Sequence, residues 1–177
     1  DGFFDPKNLV EEGAEETLDG DEEVKTIENK ASNSRYPMLS FSNTDMAFSQ
    51  DLLVAGSYHG FNIYSLKNNG LPELLSSVIC PGGQGDVSIV EHLLIMSVEQ
   101  TRGRIDCGRQ GAGSEPTPDR FRGIRIFDIS NPQNPQQVGI VQTCRGSHTH
   151  SVVNARTSEG SIIIYNYLTS LVRYQDE

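Results

Sequence analysis

Four side chains combine residue types and spacing suited to metal chemistry. His148-Thr149-His150 is an H-x-H pair, and on an extended strand both imidazoles project to the same side because successive residues face opposite ways. Superposing internal repeats of the chain sets Asp45, Asp86 and His150 at equivalent places, with His148 two residues before the last. Two imidazoles and two carboxylates make a mixed nitrogen and oxygen donor set, so Asp45, Asp86, His148 and His150 form a candidate site for a divalent metal ion. A second reading of the same residues is mechanical: they cap strand starts by accepting hydrogen bonds from backbone amides. Proton transfer by a histidine is a third.

Other candidates are weaker. Ser147 beside His148 supplies the elements of a nucleophile and base, but neighbours on a strand point apart. Cys80-Pro81-Gly82-Gly83-Gln84-Gly85 resembles a phosphate cradle in glycine content alone, since it precedes a strand and lacks the lysine. His59 and His92 fall in expected turns and read as surface residues.

The elements that must position these groups are strands. Ile124, Ile126 and Ile129 alternate with Arg125 and Asp128 at near period two, and Asn131-Pro132-Gln133-Asn134-Pro135 ends that strand because proline lacks the amide donor and fixes φ. Extended character resumes over Gln137 to Thr143, and Cys144-Arg145-Gly146-Ser147 turns the chain. The segment F-N-I-Y-S-L after Gly60 repeats the order of I-R-I-F-D-I after Gly123, while N-T-D-M-A-F-S-Q-D-L-L-V-A from Asn43 is repeated in Q-G-D-V-S-I-V-E-H-L-L-I-M from Gln84. The offset of about forty residues is the period of a four-stranded propeller blade.

Blade one is expected to run through Thr44 to Ser49, Leu52 to Tyr58, Phe61 to Leu66 and Glu73 to Ile79. Blade two takes Asp86 to Val90, Leu93 to Val98, Gly123 to Ile129 and Gln137 to Thr143, with residues 99–121 as an insertion before its third strand. A third blade opens with Thr149 to Asn154 and Ser161 to Tyr167. The expected fold is therefore all-β, a propeller or partial propeller over residues 43–177. Residues 1–42 read as an acidic, irregular N-terminal arm or linker, too poor in apolar residues to offset the entropy of ordering. Asp19-Gly20-Asp21 lacks the spaced ligands of an EF-hand loop.

Composition narrows the partners. The 177 residues carry 24 acidic and 14 basic side chains, a net charge of -10. A nucleic acid is excluded as the expected partner, because backbone binding requires a basic face that releases counterions. No apolar run approaches the roughly twenty residues that span a bilayer as a helix. The opening Asp reads as a mature product or a fragment.

Three cysteines leave one over. Cys80 and Cys144 fall in equivalent loops between blades, and Cys107 lies in the insertion on the same propeller face. A bridge from Cys107 to either would pin the insertion, and Cys107 with Cys144 is the expected pair, within one blade. Free thiols in a reducing compartment are the alternative. A disulfide implies an oxidising one.

Six stretches carry a family likeness: S-N-T-D-M-A-F, C-P-G-G-Q-G-D-V-S, M-S-V-E-Q-T-R-G-R-I-D-C-G, R-F-R-G-I-R-I-F-D-I-S-N-P, Q-T-C-R-G-S-H-T-H-S-V-V and I-I-I-Y-N-Y-L-T-S-L-V-R. From about Asn43 onward the chain resembles the bacterial LVIVD-repeat proteins. That resemblance implies an exported β-propeller, extracellular or periplasmic, without implying an activity. Members of that family run on for several more blades, and the acidic arm departs from their pattern. The expected function is a binding or interaction module, and the alternative is a metal-dependent propeller enzyme of oxidase or hydrolase type. A protein partner, or further blades of the same protein, is expected to cover the open sheet edges.

Overall fold

The computed structural model describes residues 42–113, 116–153 and 160–168. All lie in the unit Pro37–Glu177; the acidic arm, apart from Ser42, falls outside the described residues, as does Asn154 of the expected third blade. Among the described residues there is no helix, and every named element is a strand.

The elements are β1 (Asn43–Ser49), β2 (Leu52–Ser57), β3 (Gly60–Asn68), β4 (Leu71–Ile79), β5 (Val87–Val90), β6 (Leu93–Val98), β7 (Gly123–Asp128), β8 (Gln136–Gln142), β9 (Thr149–Val153) and β10 (Ile163–Tyr167). They form three antiparallel sheets ordered β1-β2-β3-β4, β5-β6-β7-β8 and β10-β9. The expected strands are all present. β4 starts two residues early and contains Pro72, which an outer edge strand tolerates because no neighbour needs its missing amide.

The third strand of each complete sheet begins on a glycine for a steric reason. Gly60 and Gly123 have φ of 140° and 146°, and a Cβ there would lie 2.1 Å from Val78 O and 2.0 Å from Val141 O in the adjacent fourth strand. Only glycine accommodates both the dihedral and the approach.

Alternation along the strands gives each sheet a forward face, toward the next sheet in chain order, and a rear face. The forward face of the first sheet (Val54, Phe61, Ile63) packs on the rear face of the second (Val87, Leu94, Met96, Phe127) to make the core. Phe61 and Phe127 meet edge to face at 4.9 Å between centroids, the arrangement favoured by the ring quadrupoles. β6 is buried on both sides, since Ile95 and Ser97 turn forward toward β9. The two outermost faces are uncovered among the described residues: Met46, Phe48 and Leu74 on the rear of the first sheet, and Ile163, Tyr165 and Tyr167 on the front of the third, are exposed.

Candidate functional site

The candidate metal residues hold one sheet to the next. Asp45 Oδ2 accepts a hydrogen bond from Val87 N at 2.9 Å, and Asp86 Oδ2 accepts one from His150 N at 2.7 Å. Each carboxylate leaves the forward face of its sheet and caps the first strand of the following sheet. That geometry corrects the expected superposition by one residue. His150 occupies the place of Val87 rather than Asp86, and Thr149 occupies that of Asp86. The slip turns the side chain to the other face, so His150 points back into the second sheet.

There the His150 side chain is fully buried, with Nδ1 2.9 Å from Ser97 Oγ and 3.0 Å from Asp86 Oδ2. Ser97 Oγ lies 2.8 Å from Ser147 Oγ. Burial pushes the Asp86 carboxyl up, but the hydrogen bonds from the His150 side chain and backbone outweigh it and hold the group below its ordinary value. Serine, histidine and aspartate thus converge without forming a nucleophilic triad. A triad divides the two ring nitrogens between carboxylate and hydroxyl. Here both oxygens share Nδ1, and the buried Nε2 has no partner among the described residues.

His148 has a carboxylate of its own. Its Nδ1 lies 2.6 Å from Glu99 Oε2, with the imidazole side chain 45% exposed and the Glu99 side chain only 12% exposed. Glu99 Oε1 also accepts from Gln84 N at 3.4 Å. No three His, Cys, Asp or Glu side chains among the described residues gather as a group able to hold a metal ion. Asp45 accepts from an amide and interacts with the Asp86 carboxyl, His150 pairs with Asp86, and His148 pairs with Glu99, so the four are not gathered as one donor set. The contacts match the capping reading.

Three loops meet at this end: residues 80–86 after β4, 99–122 after β6 and 143–148 after β8. Gly82 O accepts from Glu99 N and Gln100 N at 2.9 and 2.8 Å, and Val98 O accepts from Ser147 N at 2.9 Å. A disulfide joins Cys80 to Cys107, while Cys144 is free and exposed. Cys107 is therefore cross-linked as expected, but to Cys80 rather than Cys144. The part of the insertion that carries Cys107 folds back over the core near the end of β4, where Cys80 is buried, and not toward Cys144.

The insertion is a built structure. Arg125, fully buried on β7, donates to Arg104 O and Ile105 O and to Gln137 Oε1 at 2.9 Å, and its guanidinium lies 4.6 Å from the centre of the Phe121 ring. Burial pushes Arg125 down to about 10, against the opposing charge of Asp106. Arg120 donates to Thr101 O at 2.7 Å and Gly113 O at 2.9 Å. Arg104 pairs with Asp106 at 2.8 Å and with Asp119 at 3.2 Å.

Sequence reasoning passed over Glu99 and Arg125. Glu99 opens the insertion, and its place directly after β6 sets it against the β8 to β9 turn. Arg125 reads as an outward polar residue between two isoleucines, and only the insertion's return buries it. Along the inner strands runs a cleft of about 730 Å³, lined by Met46 and Ala47 of β1, residues 87–91 at β5, and Val152 of β9. It contains no nucleophile and base in contact.

No family model matches the chain, and no curated protein matches it. Among solved structures it is similar to the computationally designed Ika4 protein, at 15% identity over 71% of this chain and 91% of that one, with a TM-score of 0.28. A likeness at that score carries no weight for fold or function.

Proposed function

We propose that the chain is part of an exported β-propeller of LVIVD-repeat type that acts as a binding module, engaging its ligand at the end where the three loops meet. The observation that carries this reading is the repeated strap: two sheets of identical strand order, and the start of a third, each joined to the next by a carboxylate on a first-strand amide. Such a step, applied again, generates further blades about a common axis. The loop end suits binding because its loops are fixed before any ligand arrives. The Cys80–Cys107 bridge, the Arg125 and Arg120 anchors and the Glu99–His148 pair all lower the ordering cost of association. The disulfide accords with an oxidising compartment and hence with export.

The test uses a photo-crosslinking amino acid placed singly at Arg145, exposed at the loop end, or at Asn69, in the β3 to β4 turn at the opposite end. Illumination in the exporting cells is expected to give a discrete adduct from position 145 and none from 69. Adducts from 69 alone, or from neither position, would overturn the assignment of the loop end.

A further inference from the structure

β4 and β8 are the fourth strands of the two complete sheets, and each leaves its outer edge without a neighbour among the described residues while the chain continues on both sides of it. Such edges are ordinarily guarded by proline or by charge, because their unpaired N–H and C=O groups otherwise accept another strand. β4 is guarded: Pro72 has no amide to offer, and Glu73 stands beside it. β8 has neither device. From Ser130 to Cys144 the sequence S-N-P-Q-N-P-Q-Q-V-G-I-V-Q-T-C holds no acidic, basic or histidine residue, in a chain of which 21% is charged, and its two prolines lie before the strand. Val138, Ile140 and Val141 of β8 are exposed. The pairing with β7 fixes which main-chain groups face outward. Thr143 N donates to Arg122 O at 2.9 Å, so by antiparallel alternation Val141 and Gly139 turn their groups to β7, while Ile140 and Gln142 turn theirs away. The register shift that leaves Val138 unpaired precedes this stretch, so the ladder is regular over Gly139–Gln142.

We propose that the outer edge of β8 pairs antiparallel with β8 of a second copy of this chain, joining two four-stranded sheets edge to edge. The strand is its own complement. Set antiparallel about Ile140, the two copies place Ile140 opposite Ile140, where each offers its outward N–H and C=O to the other. Val141 then falls opposite Gly139, a branched side chain beside a position that has none, and Val138 falls opposite Gln142. No like charges meet along the contact, although the whole chain carries -10. A charged edge would forbid that self-pairing, and the uncharged stretch around β8 permits it. The contact is isologous, so it closes at two copies rather than growing into a fibre. It stands or falls independently of ligand binding at the loop end.

The test uses the whole 177-residue chain. Amide hydrogen exchange, followed from dilute solution to about 1 mM protein, is expected to slow at Ile140 and Gln142 as concentration rises, while Val141, already bonded to β7, does not change. Light scattering is then done on the Phe48→Lys, Tyr165→Lys variant, in which the two outermost apolar faces are charged. Its mass is expected to rise with concentration and level at two copies. Adding Ile140→Lys, which sets like charges opposite one another, is expected to raise the Kd of that dimer about tenfold or more. Leu74→Lys on β4 is expected to leave it unchanged. Ile140 is exposed, so the monomer accommodates the lysine, and unchanged exchange in β6 and β7 checks this. Exchange at Ile140 and Gln142 that is already slow in dilute monomer would mean that the chain covers this edge itself, and would overturn the proposal. So would a monomer at about 1 mM, a mass that passes beyond two copies in the charged variant, or a dimer indifferent to Ile140→Lys.

Discussion

Asp86 holds both the amide and the imidazole of His150, at the start of the next sheet, with one carboxylate, and its loss has a calculable sign. Replacing it by alanine leaves the His150 amide without its acceptor in a mostly buried place, a change worth about 1–3 kcal/mol in urea unfolding. Asp86→Asn keeps an acceptor oxygen and is expected to lose only the charged part. Because the folded carboxyl titrates below its ordinary 3.8, its contribution is present above about pH 4 and disappears as pH falls through the lowered value. The stability advantage of the wild type over Asp86→Asn should therefore shrink from pH 5 toward pH 2, about where the carboxyl protonates. An advantage that stays constant across that range would show that the charge contributes nothing. Arg125 poses a different case, since its guanidinium fills space as well as bonding. Arg125→Ala empties that space beside Phe121 and takes one donor from each of the Arg104 and Ile105 carbonyls, which keep Cys107 N and Gln137 Nε2. It is expected to cost about 2–4 kcal/mol and to speed amide exchange in residues 101–112. Unchanged exchange there would mean that the insertion does not depend on Arg125.

Among the elements, the insertion relies on its disulfide and its arginines jointly. Cys80 and Cys107 are separated by 27 residues, and closing a loop of that length removes about 3.5 kcal/mol of unfolded-state entropy in the chain-entropy model. Reduction, or Cys107→Ser, should lower the unfolding free energy by about that amount, or by less where the Arg125 and Arg120 hydrogen bonds already order the loop. Alkylation of native, oxidised protein should label Cys144 alone, as the exposed thiol. Peptide mapping that finds Cys107 modified would contradict the pairing.

At the scale of the whole molecule, the stack has a filled middle and two apolar ends. In the second sheet β6 is covered on both faces, but Met46 and Phe48 at one end, and Tyr165 and Tyr167 at the other, stand in the positions that are packed inside. Such ends associate when nothing else covers them, and faces that differ combine head to tail. Light scattering of the 177-residue chain is expected to show a mass that rises with concentration, and Phe48→Lys with Tyr165→Lys should lower it. A monomer at all concentrations would show that neither end seeks cover.

The strands, their order and the length of the repeat are legible in the local sequence. Period-two alternation, proline stops and paired glycines are local signals, and each is set by backbone sterics or by the need to bury one face. The sequence also led to the expectation that Cys107 is cross-linked, with free thiols as the alternative. What the candidate site residues meet depends on how one sheet packs against the next. A shift of one residue between repeats is invisible in composition but exchanges the two faces of a strand; it carried His150 from beside the aspartates to beneath Asp86 and Ser97. Similarly, the partner of Cys107 depended on where a long insertion returns, which no local pattern encodes. The same return buried Arg125, a charge that alternation alone assigns to solvent.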